Sequence, residues 1–354
     1  MEISIQGQKV GLRHPTYFIA DIAANHDGDL QRAVDLIRLA KQAGADAAKF
    51  QNFRAPKIVS DYGFKSLGGQ LSHQAKWKKS VVEVYEDASI PFEWTPTLKE
   101  TCDKYGIHYF SSPYDYEAMD MLNPFVPAFK AGSSLISWPQ AIVRMARFGK
   151  PVLIATGDAE MSDVERVMEE VLPINSQIVL MQCNTNYTGN ETNYDHLHVN
   201  VLKTYAAKWP DIILGLSDHT QSAAPVVGAV ALGARVIERH FTDSNDRQGP
   251  DHKFALNPDN WAHMLQEVRI LERALGSAEK FVAANEKETY IVQRHCLRTA
   301  RAVKAGETFT EDMLEVLRPA TPGALMAWDL LQVLGKKAAA DLPFGKELRR
   351  EDLT

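Results

Sequence analysis

The strongest constraint on this chain is an alternation repeated eight times. A short β-rich run is followed by a longer stretch of helical period. The strand candidates are YFIADIA (17–23), DAAKFQ (46–51), IHYFSS (107–112), AFKAG (128–132), PVLIAT (151–156), QIVLMQC (177–183), DIILGLS (211–217) and RVIERHF (235–241). LQRAVDLIRLAKQAG (30–44), DVERVMEEVL (163–172) and QSAAPVVGAVALG (221–233) are helical segments between them, and PDNWAHMLQEVRILERALG (258–276) follows the last. Eight such units are the count of a closed parallel (β/α)8 TIM barrel, an α/β fold. An open doubly wound sheet is the alternative. It normally has fewer strands and a glycine-rich phosphate turn after the first, which this chain lacks. Residues 52–92 exceed an ordinary β/α connection and predict an excursion over one barrel mouth.

The barrel reading takes in residues 1–276. The polar stretch SAEKFVAANEKETYIVQ (277–293) reads as a linker, and residues 294–354 as a compact domain of short strands and glycine turns. A length of 354 residues suits one large and one small domain. The net charge of -6 comes with no Lys/Arg-rich run, which argues against a nucleic-acid partner. Cys102, Cys183 and Cys296 form no CxxC pair, so neither a disulfide framework nor a zinc–thiolate site is expected. No run approaches the roughly 18 apolar residues of a membrane span, and the N-terminus has no apolar signal region. A cytoplasmic protein without a membrane partner is the expectation.

A buried parallel strand should be apolar throughout, yet each of these ends in polar chemistry. In a barrel, polar residues at the C-terminal strand ends face the mouth. The ends carry Asp21; Lys49 and Gln51; Ser111, Ser112 and then Tyr114; Lys130 and then Ser133; Thr156; Asn184, Thr185 and Tyr187; Ser217, Asp218 and His219; and Glu238 and His240. Singly, a strand-end histidine is more often a hydrogen-bonded rim residue, and serine or threonine a turn former. Convergence on one face is what argues for a site. Lys49 and Lys130 suit a small, highly charged anion such as a phosphate or a phosphorylated carboxylate. His219 and His240 on neighbouring strands suit a divalent metal with open positions: manganese, cobalt or magnesium as well as zinc. Asp21, Asp218 and Glu238 could support the ligands or act as general base.

In order and at strand spacing, FIADIAANHDGDL, DAAKFQ, SSPYD, FKAGSS, GLSDHT, VIERHF and the GPDH of 249–252 resemble the sialic acid synthase family, the phosphoenolpyruvate-dependent nonulosonate synthases. KAGETFTEDML, RPATPG and LGKKAAADLPFGKELRREDL resemble its C-terminal antifreeze-like (SAF) domain. The resemblance implies condensation of phosphoenolpyruvate with an N-acylated hexosamine, ManNAc or a related 2,4-diacetamido sugar, giving a nonulosonic acid and phosphate. It implies that Lys49, Ser112, Lys130, Ser133, Thr185 and Ser217 hold phosphoenolpyruvate. His219 and His240 would ligate the metal, manganese before magnesium or cobalt. Asp21, Lys49, Lys130, His219, Glu238 and His240 would form the catalytic set. Gln51, Tyr114, Tyr187 and Asp251 would face the sugar, with Arg294 or Arg298 of the SAF domain. A homodimer with swapped SAF domains is implied as well.

The chain departs from the family pattern at three places. Asp21 stands where glutamate is usual, Thr185 where asparagine is usual, and His295 at the position aligned with the family's SAF arginine. Two alternatives stay open at this point. One is the same chemistry on a 6-phosphorylated hexosamine, giving a 9-phosphate. The other is a non-catalytic paralogue that binds sugar or phosphate.

Overall fold

The computed structural model describes residues 1–71, 74–75 and 77–354. The chain divides into two compact units, Met1–Gly276 and Ser277–Thr354. The first opens with an antiparallel hairpin, β1 (Glu2–Ile5) and β2 (Gln8–Gly11). Gln6 and Gly7 at its tip both have positive φ, 47° and 86°, the conformation that a two-residue hairpin turn demands.

The eight parallel strands follow: β3 (Tyr17–Asp21), β4 (Ala47–Asn52), β5 (His108–Pro113), β6 (Phe129–Ala131), β7 (Val152–Ala155), β8 (Ile178–Cys183), β9 (Ile213–Asp218) and β10 (Ala234–His240). They are ordered β5-β4-β3-β10-β9-β8-β7-β6. The first barrel strand pairs with the last, and β5 lies alongside β6, so the sheet closes into a TIM barrel. The first strand stops at Asp21, two residues before the expected end. The Asp21 side chain accepts from the Ala23 N–H at 3.1 Å, and Ala23 turns to a φ of 45°.

Side chains alternate across a strand. One set, including Ile19, Ala47, Phe110, Leu153, Val179, Met181 and Val236, fills the lower barrel together with Ile3, Ile5 and Val10 of the hairpin. The hairpin therefore seals the N-terminal end. Gly215 belongs to this layer, and a Cβ there would meet Met181 Cγ and Val236 O at 2.8 Å each. Two residues further along six of the strands, the same inward face becomes Asp21, Lys49, Ser112, Lys130, Ser217 and Glu238, all buried.

The outward set packs on helices. Leu30–Gln42 is typical: Asp29 caps it by accepting from the Gln31 and Arg32 N–H groups, and Ala33, Leu36, Ile37 and Ala40 bury one stripe. Met161–Val171, Ala224–Ala231 and Pro258–Leu275 occupy the other expected helical segments. The 52–92 excursion is built from three short helices, Ala55–Ile58, Asp61–Ser66 and Val81–Ala88, the last started by a Ser80–Glu83 capping box. Ser72, His73 and Lys76 of this excursion lie outside the described residues.

The second unit pairs β11 (Cys296–Thr299) with β12 (Leu314–Leu317) around a small core that includes Leu297, Phe309, Leu342 and Leu348. The stretch read as a linker carries a helix, Lys287–Val292. Among the described residues no helix is long and apolar enough to cross a membrane.

Candidate active site

The strand ends open into a cavity of about 380 Å³. At its floor two lysines and two carboxylates interlock. Lys49 Nζ lies 2.6 Å from Asp21 Oδ2 and 3.7 Å from Glu238 Oε1, and Lys130 Nζ lies 3.3 Å from the same Glu238 oxygen. Lys49 also reaches Ser112 Oγ at 3.3 Å, and Ser217 Oγ donates to Glu238 Oε1 at 3.3 Å. Burial works against the Lys49 charge, yet Asp21 and Glu238 more than offset it and hold the ammonium above its usual range. Mutual neutralisation is what lets two lysines sit among buried atoms. It also means that an arriving anion competes with Asp21 and Glu238 for the same donors. Glu238 Oε2 is buried with no hydrogen-bond partner among the described residues.

Beside this floor stand His219 and His240, their ring centres 5.3 Å apart. His219 Nδ1 lies 2.9 Å from the Asn184 carbonyl, which can only accept. That bond puts the proton on Nδ1 and leaves Nε2 with its lone pair. His240 Nδ1 is buried with no hydrogen-bond partner among the described residues. Asp21 Oδ2 is 3.7 Å from His240 Nε2, and Asp251 Oδ2 is 3.8 Å from Nδ1. Burial, then His219 nearby, holds the His240 imidazole well below its ordinary range, so it stays neutral. His219 is pulled the other way: burial works against its charge, but Cys183 beside it holds the imidazole above its ordinary range, so an arriving ion would displace that proton. His219 Nε2 and a neutral His240 with an orphaned buried nitrogen fit a divalent ion. Among the described residues no group of three or more His, Cys, Asp or Glu side chains could hold a metal by itself. Water or substrate oxygens would therefore complete the shell.

Tyr187 and Phe254 wall the histidines, with ring centres 4.5 Å and 5.9 Å from His219. Asp251 accepts from the Ala24 N–H at 3.2 Å, and burial pushes its carboxyl up to about 6. Elsewhere on the lining Ser133 Oγ accepts from the Gly157 N–H at 3.1 Å, and Thr185 Oγ1 donates to Asp158 at 3.0 Å. Gly132 leaves room for Tyr114, since a Cβ there would stand 2.7 Å from the phenol oxygen.

The cavity thus gathers Asp21, Lys49, Gln51, Tyr114, Lys130, Ser133, Thr185, Tyr187, Ser217, His219, Glu238, His240 and Asp251. Ser112 sits behind, against Lys49, and does not line it. Asp218 faces away from the cavity, toward the helix layer. Arg294 and Arg298 belong to the second unit. Arg298 donates to the Gly345 and Pro319 carbonyls at 2.7 Å and 2.6 Å and lies 3.5 Å from Glu347, all within that unit. Arg294 lies over the rings of Tyr290 and Trp328.

Sequence reasoning missed the outer wall. Phe53, Ile58, Phe64, Trp77, Val84 and Tyr85 of the excursion line the cavity, as do Ser134 and Asp158. The aromatic density of residues 52–92 was the available signal.

The pattern of the NeuB family matches residues 36–280, and that of the SAF domain matches 294–354. The chain is 32% identical to the spore coat polysaccharide biosynthesis protein SpsE of Bacillus subtilis, over 96% of this chain and 94% of that one. The crystal structure of SpsE superposes with a TM-score of 0.66 and 29% identity, covering 100% of this chain and 99% of the other. Identity is also 32% to the N-acetylneuraminate-9-phosphate synthase of Homo sapiens, over 94% of this chain and 90% of that one. It is 32% to the pseudaminic acid synthase of Campylobacter jejuni, over 95% and 96%. With a family match spanning most of the barrel and a SAF domain behind it, the chain belongs to the NeuB family, the sialic acid synthases, and is a phosphoenolpyruvate-dependent condensing enzyme.

Proposed function

We propose that this enzyme condenses phosphoenolpyruvate with the open-chain form of an unphosphorylated N-acylated hexosamine, ManNAc or a related 2,4-diacetamido sugar. The observation that carries this reading is the two-ended cavity. Its floor holds the buried cations Lys49 and Lys130, and its outer wall is the apolar face of Phe53, Ile58, Trp77 and Val84. Among the described residues no other lysine and no arginine lines that cavity, so the barrel itself offers a second phosphate no cation of its own. An acyl group suits the apolar wall.

The reaction balances as follows. C3 of phosphoenolpyruvate attacks the aldehyde carbon, and the aldehyde oxygen takes a proton. Water adds at C2 and gives up a proton. The C2–O bond to phosphate then breaks, leaving a 2-keto acid and inorganic phosphate. Lys49, Lys130, Ser133, Thr185 and Ser217 orient the phosphoenolpyruvate, and Asp21 is the base for the water. When an arriving anion draws Lys49 away, the Asp21 carboxylate is released from its 2.6 Å contact. His219 and His240 would hold a divalent ion, manganese before magnesium or cobalt, whose charge supplies Lewis acidity at the aldehyde oxygen. Gln51, Tyr114, Tyr187 and Asp251 face the sugar. A homodimer with exchanged SAF domains belongs to the same reading. Of the two arginines, Arg294 is the one for the sugar, because the Arg298 guanidinium is held by carbonyls of its own unit.

A phosphorylated acceptor is the second reading. Lys78, Lys79 and Lys253 border the space just outside the cavity, although Lys79 is paired with Asp87. Phosphate release and product mass, measured with phosphoenolpyruvate and a panel of free and 6-phosphorylated hexosamines, decide between them. Preference for a 6-phosphate would overturn the first reading.

A further inference from the structure

Behind the two histidines, on the far face of the same strands, lies a fully buried ion pair. Arg239 Nε is 3.4 Å from Asp218 Oδ2, with the two side chains 1% and 0% exposed. These residues are register partners between β9 and β10, one step after the Ser217–Glu238 pair that faces the cavity. Each histidine is the immediate chain neighbour of one member. His219 follows Asp218, and His240 follows Arg239.

The pair also grips the turn that carries His219. Asp218 Oδ1 accepts from the Thr220 N–H at 3.0 Å, and Oδ2 accepts from the Thr220 hydroxyl at 3.1 Å. The His219 backbone is thus enclosed in a loop closed by its two neighbours. Arg239 Nη1 donates to the Ser222 carbonyl at 2.9 Å and reaches Met264 Sδ at 3.6 Å, so the arginine ties the same turn to the helix layer. Its Nη2 is buried with no partner among the described residues.

Stability does not account for such a pair. A buried ion pair often contributes no more than well-packed apolar residues of the same volume, whereas removing one partner leaves an uncompensated charge. The strand ladder already holds β9 to β10 up to Asp218 and Arg239. The ladder partners end there, and His219 lies beyond the last of them.

We propose that Asp218 and Arg239 are positioning residues that set the separation and aim of His219 and His240 for a divalent ion, without touching ion or substrate themselves. The inference rests on the metal reading of the two histidines. Supporting groups of this kind typically change metal affinity on the order of 10–100-fold when removed.

The test uses full-length, metal-stripped protein. Mn2+ binding is titrated by calorimetry and by loss of the free-ion EPR signal in the parent, Asp218→Asn, Arg239→Lys and the neutral double Asp218→Asn/Arg239→Met. Thermal melts and steady-state kinetics run alongside. The expected result is Mn2+ binding weakened by about 10–100-fold in the single variants. Activity should then be partly recoverable with excess Mn2+, with KM for phosphoenolpyruvate unchanged within about twofold. A merely structural pair would lower the melting temperature and leave the Mn2+ affinity of the folded protein alone, and that outcome overturns the proposal. Where a single variant fails to fold, the neutral double carries the test, and parent-like Mn2+ affinity in it is equally fatal. A parent that takes up no Mn2+ sinks the metal reading, and this inference with it. A parent that binds and variants that bind equally well sink this inference alone.

Discussion

Lys49 Nζ stands 2.6 Å from Asp21 Oδ2, with the side chains 2% and 3% exposed, so neither charge has water to fall back on. Replacing Lys49 by Met leaves the buried Asp21 without its nearest cation. We expect a stability loss of about 3–5 kcal/mol, read by chemical denaturation, together with loss of phosphoenolpyruvate binding by calorimetry. The double Lys49→Met/Asp21→Asn should recover most of the stability and none of the binding. A single variant as stable as the parent would show that the pair is open in solution.

Metal removal should silence the enzyme. Stripping with EDTA is expected to abolish phosphate release, and Mn2+ to restore it in the parent but not in His219→Ala. Full turnover by rigorously metal-free protein would end the two-histidine reading.

Gly157 is the position where a single methyl group should hurt most. A Cβ there would stand 1.9 Å from Thr185 Oγ1 and 2.9 Å from Ser133 Oγ. Gly157→Ala should push both hydroxyls off their positions, an overpacking that costs about 1–3 kcal/mol of stability, and should weaken phosphoenolpyruvate binding. Sugar KM should move little. Unaltered phosphoenolpyruvate affinity would take Ser133 and Thr185 out of the anion site.

Acid stability should report on His26. This imidazole is wholly buried, its Nδ1 accepts from the Gly28 N–H at 3.0 Å, and burial holds its pKa down at about 4. The unfolded chain has the ordinary value near 6.5, so between the two values the unfolded state binds more protons. Stability is therefore complete above about pH 6.5 and is lost as pH falls toward 4, by something on the order of 3 kcal/mol. Denaturation curves from pH 7 to 4 for the parent and His26→Asn measure it, and the variant should lose less.

Subunit mixing tests the dimer. Lys130→Ala and Arg294→Ala are each expected to be inactive. If domains are exchanged, a mixed dimer regains one intact site and part of the activity. No recovery despite demonstrated subunit exchange would refute the arrangement.

Much of the barrel was legible because two periodicities coincide in it. Apolar runs of strand length alternate with stripes such as Ala33, Leu36, Ile37 and Ala40, and eight of each is the count of a closed parallel barrel. Inward direction was legible too: Ile19 and Asp21, or Val236 and Glu238, differ by two residues and so share a face. What stayed hidden depends on contacts between segments remote in sequence. The length of residues 52–92 predicted an excursion over the mouth, but not that Phe53, Trp77 and Tyr85 are the side chains that line it, and nothing local says that Arg298 finds Gly345 and Pro319. For Asp218 the sequence left open whether it supports the ligands or acts as a base, and only its outward face removes it from the cavity. A polar residue at a strand end looks alike on either face until its register is counted from the buried neighbours.

The hairpin of residues 2–11 that seals the lower barrel has a kinetic consequence. A vessel stoppered at one end has a single door. Whatever binds against Lys49 and Lys130 must come in before the sugar and cannot leave past it. Phosphoenolpyruvate should load first, and inorganic phosphate should depart last. Phosphate should accordingly inhibit competitively against phosphoenolpyruvate and noncompetitively against the sugar, a pattern that initial-rate measurements at fixed metal would reveal.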